Sequence, residues 1–501
     1  MSPNLWERCQ LSGSETDGCR GGQLYRKKLS LWFPMCTVVW LLFDPVSGHA
    51  QSSEKCGEGS MGQLEWAISM HNHNSYRLDK KFQDIWYLQG PIRPGDIGTT
   101  SIKQIITYLS LLGERKSAVL FHQVERGQLS TWLITSSGRT ICAMPKSLNS
   151  ADWQTLDAMS WGTLGTQGAK RARQGTPLHN PGTGIEDQSQ RWDKLLKKLS
   201  EILLPPEIVT ELTSSETDTL IVVPITIRTH HDAMKDKTSN QRTFSLSTVP
   251  FAALPFEKGL LVNKMSVVIS PGFSTFSKAP MATRQTYVDP LVIGNPDQPK
   301  YQSLPGAEAE ATHVAERLGT QAFVRENATK KFLYTYLTEH SKTVDLIHLA
   351  THGIADAKDP LDGGFLVFSD SVWYARQIGL LRRNEKTQDS PLLDGQPLVI
   401  MSACQTALGK DFPSGTIGLA RAWQRAGASN VVMSLWSVDD EATKELMGRF
   451  VDLVASGQAV DKALQAAMQS LRKEYPNPSN WASFSIYGAP ERLTFSSTTS
   501  H

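Results

Sequence analysis

Four short apolar runs constrain this chain more than any other feature. They are Leu291-Val-Ile-Gly294, Val344-Asp-Leu-Ile-His-Leu-Ala350, Pro397-Leu-Val-Ile-Met-Ser402 and Asn430-Val-Val-Met-Ser-Leu-Trp436. Each is nearly continuous in apolar residues, so each reads as a strand buried on both faces. Helical patterns lie between them, at Pro305 to Leu318, Thr329 to Thr338 and Gly418 to Arg425, the last closed by Gly427. Ala322 to Val324 and Gly364 to Phe368 are predicted as further strands. Two helices, from Asp440 to about Ala455 and from Val460 to Lys473, precede a final strand at Trp481 to Tyr487. This alternation predicts an α/β domain, with a mostly parallel central sheet covered by helices on both faces. Such sheets bind and react at the carboxyl ends of their strands.

Upstream, Ala118 to Met144 holds three apolar runs with turns at Glu125-Arg-Gly127 and Ser137-Gly138, which predicts a meander. Ser101 followed by Ile102, Ile105, Ile106 and Leu109 predicts a short amphipathic helix, and Trp192 to Leu204 a longer one. Leu220 to Pro224 reads as a strand. Lys146 to Gln190 reads as a long loop with a weak helical piece. The formal net charge of the 501 residues is +2, with no dense Lys/Arg stripe, so nothing points to nucleic acid. His230 and His231 are adjacent on a loop and lack further ligands at set spacing, so no metal site is expected. Gly294-Asn295-Pro296 is not a phosphate-binding signature, and no cofactor is expected.

The N-terminal stretch carries an address. Tyr25-Arg-Lys-Lys28, an apolar run from Leu29 to Phe43 and the small-x-small Gly48-His-Ala50 have the layout of a secretory signal. A membrane anchor or a buried helix is the competing reading, although the run is short and interrupted by Pro34. The expected map is a leader at 1–50, a polar linker with a short helix at 51–117, one domain at 118–490 and a disordered tail at 491–501. Cleavage after Ala50 would make the chain secreted or periplasmic and leave no stable span. It would also leave Cys56, Cys142 and Cys404, of which Cys56 and Cys142 could pair and Cys404 remain free.

Cys404 and His352 follow the ends of two predicted parallel strands. A thiol needs a base to become a nucleophile at neutral pH, and a histidine at a neighbouring strand end can supply one. The 52 positions from His352 to Cys404 match the caspase spacing, while the local caspase signature is absent. His348 and His352 share an H-x-x-x-H spacing, but on a strand that spacing separates the rings, so His348 reads as a core histidine.

His348-Leu-Ala-Thr-His352-Gly353, Ser402-Ala-Cys404-Gln-Thr-Ala-Leu-Gly409 and Gly418-Leu-Ala-Arg-Ala-Trp-Gln-Arg-Ala-Gly427, with Val431-Val-Met-Ser-Leu-Trp-Ser-Val-Asp-Asp440, resemble the CHAT domain. This is a family of caspase- and separase-like cysteine peptidases. Leu304-Pro-Gly-Ala-Glu-Ala-Glu310, Asp359-Pro-Leu361 and Trp481-Ala-Ser-Phe484 look like further landmarks, and the likeness runs from about Ala118 to Pro490. The resemblance implies a caspase-like three-layer sandwich. It implies Cys404 as nucleophile, His352 as base and acid, and the amides of Gly353 and Cys404 as oxyanion donors. It also implies that Asp439 or Asp440 receives a basic residue before the cut; the alternative is that the pair caps the helix that follows. The expected partner is a protein or peptide substrate, with a protein activator conceivable. The competing class is a catalytically silent interaction module. Many relatives carry helical repeats upstream, and none is visible here.

Overall fold

In the computed structural model, which describes residues 60–72, 100–158, 185–228, 243–356, 359–381, 391–403, 406–407, 409–412 and 415–493, the apolar runs lie side by side. The strands that matter are β1 (Ser117–Glu125), β2 (Gln128–Thr135), β3 (Thr140–Cys142), β4 (Thr219–Val223), β5 (Ser266–Ile269), β6 (Pro290–Gly294), β7 (Ala322–Val324) and β8 (Leu346–Ala350). They continue as β9 (Gly353–Ile354), β10 (Phe365–Val367), β11 (Val372–Tyr374), β12 (Leu398–Ser402), β13 (Gly409–Phe412), β14 (Gly415–Gly418), β15 (Asn430–Ser434) and β16 (Phe484–Tyr487).

One twelve-stranded sheet runs in the order β7-β6-β8-β12-β15-β16-β5-β4-β1-β2-β3, with Lys146–Ser147 also on β2. From β7 to β15 every pairing is parallel. β16 is antiparallel to β15 and parallel to β5, and the β1-β2-β3 meander closes the far edge antiparallel. Every residue of β4, β6, β8, β12 and β15 is buried, the physical reason their sequences read as nearly continuous apolar runs.

The main helices are α1 (60–72), α2 (Ile102–Leu111), α3 (Ser150–Ala158), α4 (Ile185–Leu203), α5 (Pro206–Ser214), α6 (Pro305–Leu318), α7 (Lys330–Glu339), α8 (Ala375–Gly379), α9 (Leu419–Ala426), α10 (Asp440–Ala455) and α11 (Val460–Leu471). Two side-chain contacts put helices on opposite faces. His348 of β8 meets Glu310 of α6 at 2.8 Å, while Arg421 of α9 donates to the Tyr487 hydroxyl of β16 at 3.2 Å. Tyr487 is in register with Val431, Val431 with Val399 and Val399 with Ile347. Ile347 and His348 are neighbours on one strand and point to opposite faces. The sheet is therefore the middle of three layers, as predicted.

Three local results differ from the sequence reading or add to it. Phe365–Val367 is a strand, but it pairs with β9 and β11 in a separate three-stranded sheet. A strand's apolar pattern reports burial and does not name its partner. Residues 60–72 form a helix where the sequence reading expected polar linker. Leu64, Ala67, Ile68 and His71, at i, i+3, i+4 and i+7, are its buried face, and His71 sits edge-on to Phe121 and Phe273. Helix α4 begins at Ile185, ahead of the predicted Trp192. The helix expected after Ser101 is present, and Ser101 and Gln104 form a capping box on α2. Gly427 ends α9 at φ 118°, where any side chain would run into the Leu393 carbonyl.

Cys142, the one cysteine among the described residues, is disulfide-bonded. Cys56, like the 1–50 stretch, His230, His231 and residues 494–501, lies outside the described residues; the first residues of the expected 491–501 tail are ordered instead, with Glu491 buried and the Arg492 carbonyl accepting the Thr283 N–H at 2.8 Å. Among the described residues no helix is long and apolar enough to cross a membrane, and no cluster of three or more metal-ligating side chains occurs.

Candidate functional site

The site is built where β8 and β12 end. Thr351 donates its N–H to the Ser402 carbonyl at 3.3 Å, so the two strand exits touch. His352 follows Thr351 directly. Cys404 follows Ser402 and Ala403 in the chain and lies outside the described residues. Its described neighbours are fixed from one point. The Ser434 hydroxyl donates to the Ala403 carbonyl at 2.8 Å, and the Ser434 N–H donates to the Thr406 hydroxyl at 2.8 Å. Ser434 is the last residue of β15, so the β12 exit is anchored to the neighbouring strand.

The backbone at His352 is held by the small sheet. Val367 donates its N–H to the His352 carbonyl at 3.0 Å, and Gly353 lies opposite Leu366. The 352/367 pair is thus the hydrogen-bonded one, and Gly353 occupies a non-hydrogen-bonded position whose N–H is directed away from β10. The Thr351 hydroxyl donates to the Val367 carbonyl at 2.6 Å and ties the same turn to β10.

The His352 ring is half-buried. Its Nε2 lies 2.6 Å from the backbone carbonyl of Gln302, and Tyr301 packs beside it with ring centroids 5.6 Å apart. A carbonyl only accepts, so Nε2 carries the proton of the neutral ring and Nδ1 presents the basic lone pair. Burial pulls His352 below the usual imidazole range, against the Gln302 carbonyl and the nearby Asp440 carboxylate, which both push it up. Burial thus favours the neutral ring, the state a general base requires.

Both acidic residues after Trp436 carry backbone amides. Asp439 is the N-cap of α10, accepting from Glu441 and Ala442 at 3.1 and 3.2 Å. Asp440 accepts the Gly306 N–H at 2.8 Å, at the first turn of α6. Burial and the neighbouring Asp439 and Glu441 charges push the Asp440 carboxyl up, while the Gly306 amide and His352 hold it down. Asp440 therefore links α10, the start of α6 and the electrostatics of His352. His348 is buried with its Nε2 on Glu310, the core role expected of it.

Sequence reasoning did not single out Gln302, Asn295 or Gly306 as parts of this corner. The sequence signal available was position alone: Gly294-Asn295-Pro296 stands at the exit of β6, beside the exits of β8 and β12 in the sheet order.

Comparison with known proteins gives three findings. A family model described as the CHAT domain matches residues 238–489. Tetratricopeptide repeat protein 28 of Homo sapiens is 30% identical over 237 residues, which is 40% of this chain and 9% of that protein; its Mus musculus counterpart is 29% identical over the same length and 10% of that protein. The chain thus spans about a tenth of the length of these curated relatives. Among solved structures, the Saccharomyces cerevisiae separase–securin complex aligns over 78% of this chain and 31% of that chain, at 13% identity and a TM-score of 0.45. The Arg-specific cysteine proteinase gingipain R aligns over 58% of this chain and 69% of that chain, at 10% identity and a TM-score of 0.39.

Proposed function

The chain belongs to the CHAT domain family, and from that premise we propose that it is a cysteine endopeptidase working through Cys404 and His352. The observation that supports this most is the corner around His352: its Nε2 is committed to the Gln302 carbonyl, which leaves Nδ1 as the base, next to the exit of the strand that leads to Cys404. In the proposed reaction Nδ1 takes the Cys404 thiol proton and the thiolate adds to the scissile carbonyl. The amide of Gly353, directed away from β10, and that of Cys404 steady the oxyanion. The proton then passes from His352 to the leaving amine as the C–N bond breaks, and water hydrolyses the thioester.

Asp440, with Asp439 beside it, makes the corner negative and favours an arginine or lysine before the cut. Both carry backbone amides, and Asp440 is the better placed of the two because its charge acts on His352. The proposed partner is a protein or peptide. Export through a 1–50 leader remains part of the proposal, and the disulfide at Cys142 supports an oxidising compartment. The direct test is turnover of fluorogenic peptides ending in Arg, Lys or Asp. Hydrolysis after Arg and Lys, lost in Cys404→Ala and in His352→Ala, is expected. No hydrolysis, or hydrolysis unchanged in Cys404→Ala, refutes the proposal.

The second reading is a silent interaction module. The curated relatives matched here are tetratricopeptide repeat proteins by name, which gives that reading its support. A peptide carrying a thiol-reactive group separates the two: selective labelling of Cys404, slowed in His352→Ala, belongs to the peptidase alone.

A further inference from the structure

The Gln302 carbonyl sits on an irregular segment between β6 and α6, and one side chain fastens that segment. Asn295 follows β6 directly and is 2% exposed, with φ at 41°. Its Oδ1 accepts the Leu304 N–H at 2.7 Å, and its amide and the Ser303 hydroxyl meet at 3.2 Å. Its Nδ2 donates to Glu308 at 2.9 Å, in the first turn of α6. Its own backbone N–H donates to the carbonyl of Ala350 at 2.9 Å, two residues before His352. One residue thus refers both partners of the Gln302–His352 contact to the same point, the carbonyl through Ser303 and Leu304, the imidazole through Ala350.

We propose that Asn295 is a positioning residue for His352, clamping the Tyr301–Leu304 segment so that the Gln302 carbonyl stays on Nε2. The residue type fits the task. A side-chain amide offers an acceptor to Leu304 and donors to Glu308 and Ser303 at once. Aspartate would lose the donors and face the Glu308 carboxylate. Asparagine also tolerates a left-handed backbone better than other residues with a side chain apart from aspartate, and strain of this kind collects where geometry matters for function. The role rests on the reading of His352 as the base.

The test uses the full chain labelled with 13C,15N-histidine, with His352 assigned by its loss in His352→Gln. Asn295→Gly keeps the left-handed backbone and removes the clamp. In that variant His352 titrates at lower pH than in the wild type, since the carbonyl that favours the protonated ring is no longer held against it. Peptide turnover falls about 10- to 100-fold in kcat with KM little changed, the scale of a misplaced catalytic group. Asn295→Asp keeps the Leu304 acceptor and falls between the two in both assays. A folded Asn295→Gly with wild-type His352 titration and wild-type kcat overturns the proposal. If Asn295→Gly does not fold, wild-type behaviour of Asn295→Asp in both assays overturns it as well. A wild-type chain that cleaves no peptide refutes the peptidase reading alone, because the titration still decides the role of Asn295.

Discussion

Gly306→Ala tests the junction between α6 and α10 more sharply than any deletion, because two known effects give opposite signs. At an open helix position alanine is more favourable than glycine by about 0.5–1 kcal/mol. Here a Cβ on residue 306 would lie 2.5 Å from Asp440 Cγ and 2.8 Å from Oδ1, and closer still to Oδ2, inside any real carbon–oxygen contact. The carboxylate ends a side chain with two rotatable bonds, so it swings aside and gives up the 2.8 Å bond from the Gly306 amide. A hydrogen bond to a charged group contributes about 1.5–3 kcal/mol. The net expectation is a loss of about 1–2 kcal/mol, the difference between that bond and the helix gain. Urea unfolding followed by tryptophan fluorescence measures it, with the midpoint moving and the slope constant. The same substitution made in Asp440→Ala, where there is no carboxylate to displace, should be neutral or stabilising. A Gly306→Ala chain more stable than wild type, or one whose cost is the same in the Asp440→Ala background, refutes the reasoning.

Further predictions follow from other contacts. Asp439→Ala removes the α10 cap and should cost about 1 kcal/mol in the same unfolding assay, while Asp439→Asn keeps most of it. Arg115 grips both oxygens of Asp461 at 2.9 Å, with the Ser266 hydroxyl also on Asp461 and both charges buried; Asp461→Ala should cost about 3–5 kcal/mol, because it strands a buried guanidinium. Burial pulls His71 and His122 down to about 4, so the unfolded chain takes up protons first as pH falls from about 6.5. Stability therefore declines between pH 6.5 and 4, by up to about 3 kcal/mol per histidine, and the slope in that window should flatten in His122→Gln. Glu491 runs the other way: burial pushes it up to about 7, so its contribution is full below about pH 4.5 and is lost as pH rises through 7. An Glu491→Gln chain should lose less stability than wild type over that rise.

Much of the architecture was legible because burial writes itself into composition. The β6, β8, β12 and β15 runs are nearly all apolar because both of their faces are buried. Helix ends were legible where a local residue does the work, as at Ser101 and Gly427. What escaped was any role set by distant partners. The separate sheet that holds β10 depends on β9 and β11, not on the pattern of Phe365–Val367. In α1 the exposed Trp66 and Met70 blur the stripe of Leu64, Ala67 and Ile68, and its fourth member is a histidine whose burial against Phe121 and Phe273 only the fold reveals. The place of His352 just past the end of β8 was legible from the strand pattern. The roles of Gln302 and Asn295 were not, because a backbone carbonyl has no signature in sequence and the clamp spans two loops.

The placement of β16 has a consequence for how the molecule is made. Among the described residues, the two halves of the sheet, β7 to β15 and β5 to β3, are joined in the strand order only through this strand, the last of the sheet in chain order. During synthesis both halves can be on hand while the ribosome is still translating α11, each with an open inner edge that invites pairing with another chain. The sheet is completed by a late insertion between β15 and β5. Interrupting translation before Phe484 should therefore release two sticky half-sheets, and a chaperone that shields strand edges would be needed most over that last interval.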